Sequence, residues 1–515
     1  INSKQLVIKL FYMKRIYFLL ITVLSMPFCN AQNITDGLRY ADENITGTAR
    51  FNALSGAFGA LGGDLSAIAI NPAGSAVFLK NDAAASFAVS DSDNTTNYFN
   101  TVRESGDNEV SLNQAGMVFV FDNSENSNWK KFTLSLTYNN TQNFDDDVFA
   151  AGTGNLSIGS FFTQQAQGIP LDLLQLRSGE TISQLYNFLG ETEGVTAQNA
   201  FLGYQAFIFD PVSDDPANTA YVGNFSSGNF NQQYSYLTRG YTGKYTANFA
   251  TQYGDHWFFG VNLNSHAIDY DRSTFLFETN NNPLASVDQI GFENNLSVLG
   301  AGFSAQIGAI AKFEDIRIGL SFDTPTWFEI SEETSQYLET RRSVDGQNIT
   351  EIINPRVVNV FENYNLRTPG KIIASGAYIF GKDGLISVDY SYKDYSSIEF
   401  RPQSDTFFAN ENTTIENQLA GASTFRLGGE YRLSQLSLRG GYSYAQSPYK
   451  NGTTIGDTSG FSLGLGYDFG NYNFDVSYSR TEQDREQQLY NIGLTSSALV
   501  SNVNNNIVFT LGVQL

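Results

Sequence analysis

Segments of about ten residues with two-residue alternation recur along most of this chain. In 132–139, Phe132, Leu134, Leu136 and Tyr138 alternate with Thr133, Ser135, Thr137 and Asn139. In 316–323, Ile316, Ile318, Leu320 and Phe322 alternate with Arg317, Gly319, Ser321 and Asp323. Similar zigzags fill 461–469 and 472–479, and the last segment sets Ile507, Phe509, Leu511, Val513 and Leu515 on one face. The polar faces are rich in Gly, Ser and Asp, and many apolar faces end in Tyr or Phe. A soluble sandwich with one polar face would also alternate, but it would not need aromatic girdles at the strand ends. The pattern predicts an all-β protein, a transmembrane antiparallel β-barrel of about fourteen strands with an N-terminal hatch plugging its lumen.

Connection lengths support the same reading. Short turns fall near 253–256, 312–315, 381–384, 432–435 and 469–472. Between them lie longer loops, expected near 272–295, 330–368, 402–423, 446–459 and 481–505. Outer-membrane barrels pair short periplasmic turns with long extracellular loops, and an even strand count returns both termini to the periplasm. Pro369 is placed at the start of a strand, where a missing donor is tolerable. The expected division is 1–31 upstream residues and signal peptide (Met13–Ala31), 32–80 hatch, and 81–515 barrel. A long extracellular insertion at about 146–233 interrupts the barrel. Within it, 160–190 reads as two short amphipathic helices, and a loop of this length is usually functional.

The chain start changes the picture in one respect. Lys14 and Arg15 precede the apolar run 16–28, and Cys29-Asn30-Ala31 follows. That is a basic region, a short apolar region and a small-x-small cleavage site. Cleavage is expected after Ala31, with 1–12 read as upstream of the true start. The mature chain then has no cysteine, which excludes disulfides and thiol chemistry. No later run reaches the roughly 18 apolar residues of a membrane-spanning helix.

Composition removes other classes. The 515 residues carry a formal net charge of −22, with only 16% charged and 14% aromatic residues. So acidic a chain offers nucleic acid no basic patch. No phosphate-binding or dinucleotide fingerprint is present. No metal site is expected, because His and Cys do not cluster and Asp145–Asp147 would hold Ca²⁺ only loosely. Of the two histidines, His256 lies in a turn and His266 has the inward parity of Asn262 and Asn264, with Asp269 and Asp271 nearby. His266 reads as a lumen-lining polar group. No catalytic residue, enzyme activity or cofactor is expected.

One stretch is neither strand nor spanning helix: "GALGGDLSAIAINPAG" within 47–78, where Phe51, Leu54, Phe58, Leu61, Leu65, Ile68 and Ile70 interleave with Gly and Ala. Irregular backbone cannot face lipid, and this segment is too apolar to drift in water. The lumen is the place left for it. Asn71, Pro72, Ala73 and Gly74 predict a stiff turn there. With these residues, and with "LRTPGKIIASGAYIF" at 366–380, the chain resembles the FadL/TodX-type outer-membrane transporters of long-chain fatty acids and aromatic hydrocarbons. The resemblance spans roughly 45–515. It implies a fourteen-stranded barrel, a hatch in its lumen, capture of hydrophobic small molecules at extracellular loops, and lateral release through a gap in the wall. The expected partners are such a ligand, outer-membrane lipids and lipopolysaccharide, with the barrel acting as a monomer in the outer membrane. The alternative is a barrel of this family recruited as a secretion or assembly subunit. Inward strand faces are read as polar (Asn262, Asn264, Lys244, His266, Arg426, Glu430, Arg432, Arg439, Asp468, Asp475), with the charges pairing across the lumen. Apolar lining is therefore expected from the hatch and from Phe161, Phe162, Leu171, Leu174 and Leu185 of the insertion.

Overall fold

The structure is a computed structural model that describes residues 33–124 and 127–515. The signal-peptide reading of 1–31, with Cys29, lies outside the described residues.

Fourteen strands form the barrel: β1 (Asp82–Tyr98), β2 (Thr101–Asp122), β3 (Trp129–Asn143), β4 (Phe230–Tyr253), β5 (Trp257–Thr279), β6 (Val287–Phe313) and β7 (Ile316–Asp323 with Thr326–Val344). They continue as β8 (Tyr364–Thr368 with Lys371–Phe380), β9 (Gly384–Asp394), β10 (Gly421–Leu433), β11 (Leu436–Ala445), β12 (Ile455–Asp468), β13 (Tyr472–Gln488) and β14 (Ser497–Gln514). Each pairs antiparallel with its sequence neighbour, and β1 pairs with β14 from Asp82↔Gln514 to Asn97↔Leu499, which closes the sheet. No described helix is long and apolar enough to cross a membrane.

Burial is inverted relative to a soluble protein. On β5 the outward Trp257, Phe259, Val261 and Leu263 are exposed, whereas Asn262, Asn264 and His266 are buried. Only a surrounding lipid phase makes that arrangement favourable, since apolar groups face it and polar groups retreat from it. The inversion then reverses along the same strand. Beyond Ala267 the outward residues are Asp269 and Asp271, and the inward Ile268 and Tyr270 are buried. On β6 the change falls between Val298 and Ser304, both buried, with Ser297 exposed above and Phe303 exposed below. The barrel therefore has a lipid-facing lower belt and an upper wall standing in water.

This corrects two expectations. Much of what was read as loop is strand: β1 and β2 turn at Phe99-Asn100, and β6, with 27 residues, is far longer than the 9–11 or so that cross a bilayer. Inward faces are also not polar throughout. Above the belt the strands themselves supply apolar lining, through Ile268, Tyr270, Leu296, Val298, Phe328, Ile330 and Leu366. Asp468 lies exposed at the short-turn rim, whereas Arg432, also at the rim, turns inward onto Glu430 (2.6 Å).

Residues 33–80 lie against the inward faces as short helical pieces, Ile34–Arg39, Ala49–Ala53, Ser66–Ala69 and Pro72–Val77. Their irregular backbone leaves many peptide groups without local partners, and the wall provides them. Asn262 Nδ2 donates to the Ile68 carbonyl (2.8 Å) and Asn248 Nδ2 to the Pro72 carbonyl (3.0 Å). Gln306 Nε2 donates to the Ile70 carbonyl (3.0 Å), as does Ser321 Oγ (2.7 Å). Asp389 Oδ2 accepts from the Phe58 and Gly59 amides at 3.0 and 2.9 Å. Glycines in the wall let the two backbones meet: a Cβ on Gly260 would lie 2.3 Å from the Pro72 carbonyl carbon, and one on Gly319 2.2 Å from the Gly59 oxygen.

Asp389→Ala orphans the two buried N–H groups of Phe58 and Gly59, each worth about 1–3 kcal/mol. Detergent-solubilised protein should unfold at lower denaturant, and amides 56–61 should exchange faster. Unchanged exchange there would contradict the anchoring role.

Candidate functional site

Three features meet inside the upper barrel. The first is a packed apolar cluster that fills the chamber at and above the belt's upper edge. Tyr40, Phe144 and Tyr270 pack edge to face, with ring centroids 5.1–6.4 Å apart. Tyr364, Phe400 and Phe408 form a second aromatic group, with centroid separations of 5.7 Å. The helix Ile34–Arg39 sits in this chamber, with Leu38 and the following Tyr40 buried. Its start is closed by a capping box, Asn33 Oδ1 accepting from the Thr35 and Asp36 amides and Asp36 from the Asn33 amide. Arg39 pairs with Asp36 (2.5 Å) and lies 4.3 Å over the Tyr270 ring.

The second feature is a polar cavity of about 30 Å³ beneath the chamber, lined by Asp42 and Glu43, by the wall residues Lys244, Asn264 and His266, and by Lys371 and Lys393. Glu43 reaches Lys371 at 2.5 Å and Lys393 at 4.0 Å, and Lys371 also meets Asp323 at 3.4 Å. Burial opposes charge on Glu43, but Lys371, Lys393 and Lys244 outweigh it and hold its carboxyl well below the usual carboxylate range. His266 is hydrogen-bonded to Ser304 Oγ (2.8 Å) and packs edge to face on Phe328. Among the described residues no three His, Cys, Asp or Glu groups are placed to hold a metal ion.

The third feature is a seam in the wall. The β2–β3 ladder runs only from Asp122↔Lys131 to Gln114↔Asn139, although β2 stays paired with β1 up to Thr101. Beyond Asn139 the chain slips register against β4 and continues as the strand Asp146–Gly154, paired only with β4. Side chains stitch the upper part: Asn94 Nδ2 to the Asp147 carbonyl (2.8 Å), Ser105 Oγ to the same carbonyl (2.8 Å), and Arg239 to Asp107 (3.2 Å). At the slip itself Gln114 Nε2, Asn139 Oδ1, Asn140 Oδ1, Gln142 Oε1 and Thr242 Oγ1 are buried without a hydrogen-bond partner. Here the β2–β3 ladder has ended, and Asn143 donating to Glu109 is a side-chain bond that still joins the two strands.

Above these features the insertion folds as helices Gly159–Ala166, Leu171–Leu174, Ile182–Thr192 and Val195–Gln205. Phe161, Phe162, Leu171, Leu174 and Leu185 come together in one core with Tyr234, Phe292 and Leu338 of the upper wall. They therefore pack against protein on all sides. The last helix escaped the sequence reading because it is buried nearly all round, from Ala197 to Gly203, and has no amphipathic stripe. Glu278 of β5 ties the insertion down by accepting from the Ile158 amide (2.9 Å) and from Gln232 (2.7 Å).

The remaining singled-out residues lie low in the barrel. Asn71 Oδ1 caps the Ala73 amide (3.1 Å) and its Nδ2 reaches the Gly59 and Ala309 carbonyls, so Pro72, Ala73 and Gly74 are buried against β4–β6. Phe58 stacks near Phe51 at 5.5 Å. Arg439 bridges Glu430 (2.7 Å) and Asp475. Arg426 sits opposite Asp389, and its Nε is buried without a partner. Pro369 falls just before the strand Lys371–Phe380, in a mid-wall break opposite Pro325, where pairing stops at Asp323↔Lys371 and resumes at Thr326↔Thr368. Two facing residues without N–H leave the ladder no donor at that level. Glu43, Lys371 and Lys393 were not singled out from sequence, since partners 328 and 350 residues apart share no local signal.

Glu43→Gln removes the counterion of Lys371 and Lys393 and should raise hydrogen exchange across 33–46 at neutral pH. In the native chain the depressed carboxyl keeps the pair fully formed above the unfolded pKa of about 4.3 and loses it only as pH falls through its lower folded value. Equal exchange in both proteins at pH 7 would refute the tether.

No protein-family model matches the chain, and no curated protein matches it. Solved structures do. A Pseudomonas aeruginosa FadL homologue is 12% identical, with 92% of this chain and 98% of that chain covered at a TM-score of 0.52. The Pseudomonas putida toluene transporter TodX is 13% identical, with 92% and 99% covered at 0.49. With the closed fourteen-stranded sheet, the first of these likenesses shows that the chain has the FadL-type barrel fold.

Proposed function

We propose that this protein passes hydrophobic small molecules, such as long-chain fatty acids or aromatic hydrocarbons, across the bacterial outer membrane without energy input. Short turns and both termini face the periplasm in this reading, and the helical insertion covers the extracellular mouth. The observation that carries it is the large apolar cluster in the upper lumen, filled here by Leu38 and Tyr40 of the N-terminal segment. A water-filled pore has no use for buried Tyr270, Phe328, Tyr364 and Phe400, whereas an apolar solute gains about 25 cal/mol for each Å² it hides there. Residues 47–78 close the route downward as a hatch, so a solute in the chamber leaves sideways. The β2–β3 seam, which lacks ladder bonds at the outer edge of the belt, is the exit. The insertion is the capture surface, and Phe161, Phe162, Leu171, Leu174 and Leu185 hold its shape.

Uptake of a radiolabelled long-chain fatty acid and of toluene by cells expressing the protein tests this. Phe328→Asp places a charge in the chamber and should abolish uptake while the barrel keeps its heat-modifiable gel mobility. Deletion of 47–78 should raise single-channel conductance to small ions. Undiminished uptake by the folded Phe328→Asp variant would overturn the transport reading, and unchanged conductance would overturn the hatch.

A further inference from the structure

One guanidinium in the upper lumen has no partner. Arg272 of β5 is partly buried and shares the inward parity of Ile268, Tyr270, Thr274 and Leu276, while Asp269 and Asp271 point outward. Register sets it between Thr238 of β4 and Leu296 of β6. Among the described residues it forms no hydrogen bond and no ion pair. Two apolar clusters meet at this level: Tyr270 and Leu296 belong to the chamber, and Tyr234 and Leu276 to the core under the insertion. A guanidinium held among apolar groups is costly unless something accepts from it.

The carboxylates of the upper lumen are already engaged. Asp36 is the one whose charge reaches Arg272, and it accepts from the Asn33 amide (3.0 Å) and from Arg39 (2.5 Å). Asp146 pairs with Arg485 (2.5 Å). Glu278 accepts from the Ile158 amide (2.9 Å) and Gln232 (2.7 Å), and Glu332 from the Tyr364 hydroxyl (2.6 Å). Asp36 and Arg39 lie on one helix and offset each other, so Arg272 is left over whether that helix stays or leaves.

The hydroxyls around Arg272 point to the same kind of ligand. Tyr490 Oη is buried without a partner, and the Tyr234 hydroxyl makes no hydrogen bond among the described residues. Tyr236 and Tyr270 have only a long bond between their own hydroxyls (3.4 Å). Burial opposes ionisation of Tyr236, but Arg39 and Arg272 outweigh it and shift its hydroxyl below the usual phenol range. Negative charge is therefore favoured here even among apolar side chains. The unspent groups at this level can all donate, and an ionised carboxylate is a group that only accepts.

We propose that Arg272 binds the carboxylate of a long-chain fatty acid whose acyl chain lies in the chamber where Leu38 and Tyr40 now pack. This rests on the transport reading above and narrows it. An aromatic hydrocarbon gives Arg272 nothing to donate to, so ionised amphiphiles are the preferred cargo.

Detergent-solubilised full-length protein is incubated with an equal mixture of palmitate and hexadecanol at a pH of about 8, where the acid is ionised. Native mass spectrometry reads the ratio of the two bound. Partition into micelles is common to native protein and variants, so the change in ratio reports the site. Arg272→Gln should lower the palmitate-to-hexadecanol ratio about tenfold or more, as loss of one charge-assisted bond implies. Arg272→Lys should keep part of the preference, since an ammonium retains the charge without the fork. If Arg272→Gln loses its heat-modifiable gel mobility, Arg272→Met, which keeps an apolar stem, is read instead. An unchanged ratio in the folded variant would overturn this site and leave hydrophobic transport standing. Binding of neither probe by the native protein would overturn both.

Discussion

An irregular chain inside a membrane persists only where each peptide group finds a partner, and here the partners are side chains of the barrel wall. Asn248, Asn262, Gln306, Ser321 and Asp389 look like ordinary polar lumen residues, yet each spends its hydrogen bonds on backbone groups between Phe58 and Pro72. The lower lumen is polar for this reason. Its polarity matches an unstructured backbone, not a stream of water. The same demand explains the wall glycines, since a side chain at Gly260 or Gly319 would hold the backbones too far apart for those bonds.

The upper barrel obeys the opposite rule with the same strands. Along β5, side-chain parity never changes, yet the chemistry of each face swaps near Ala267. Below the swap the solvent outside is lipid, and above it the solvent is water. An apolar lumen is affordable only above, where polar residues can face outward and the inward ones collapse on one another. Chamber and seam therefore lie at one height, set by the edge of the belt, with the insertion above them.

Period-two alternation was enough to read the class and the strand number, because the alternation of β3, β7, β12 and β13 is strict where lipid demands it. Loop lengths were overestimated because above the belt β5, β6 and β7 continue with both faces mixed, so that Glu278, Glu332 and Thr340 are buried while Ser297 is exposed. The seam was not legible. Gln114, Asn139, Asn140 and Gln142 fit a strand pattern, and nothing local says that the neighbouring strand has left. Nor was the tether at Glu43, whose meaning depends on lysines brought to it by the closure of the sheet.

The two parts of the N-terminal segment differ in how they are held, and this bears on what can move. From Thr48 to Phe78 the backbone is pinned at many points by side chains of several strands, so releasing any one leaves the others. From Asn33 to Asn44 the fixed points include the Glu43–Lys371 pair, a Lys393 contact to the Ala41 carbonyl, the Tyr395 hydroxyl on Asp42, Arg39 over the Tyr270 ring, and the Asn44 amide on Thr141. What otherwise keeps this part in place is Leu38 and Tyr40 packed in the apolar chamber. An apolar solute in that chamber competes for the same contacts, and because hydrophobic packing is non-directional it needs no particular shape to do so. The helix Ile34–Arg39 therefore occupies the place the proposed solute would take, while Thr48–Phe78 stays sealed to the wall.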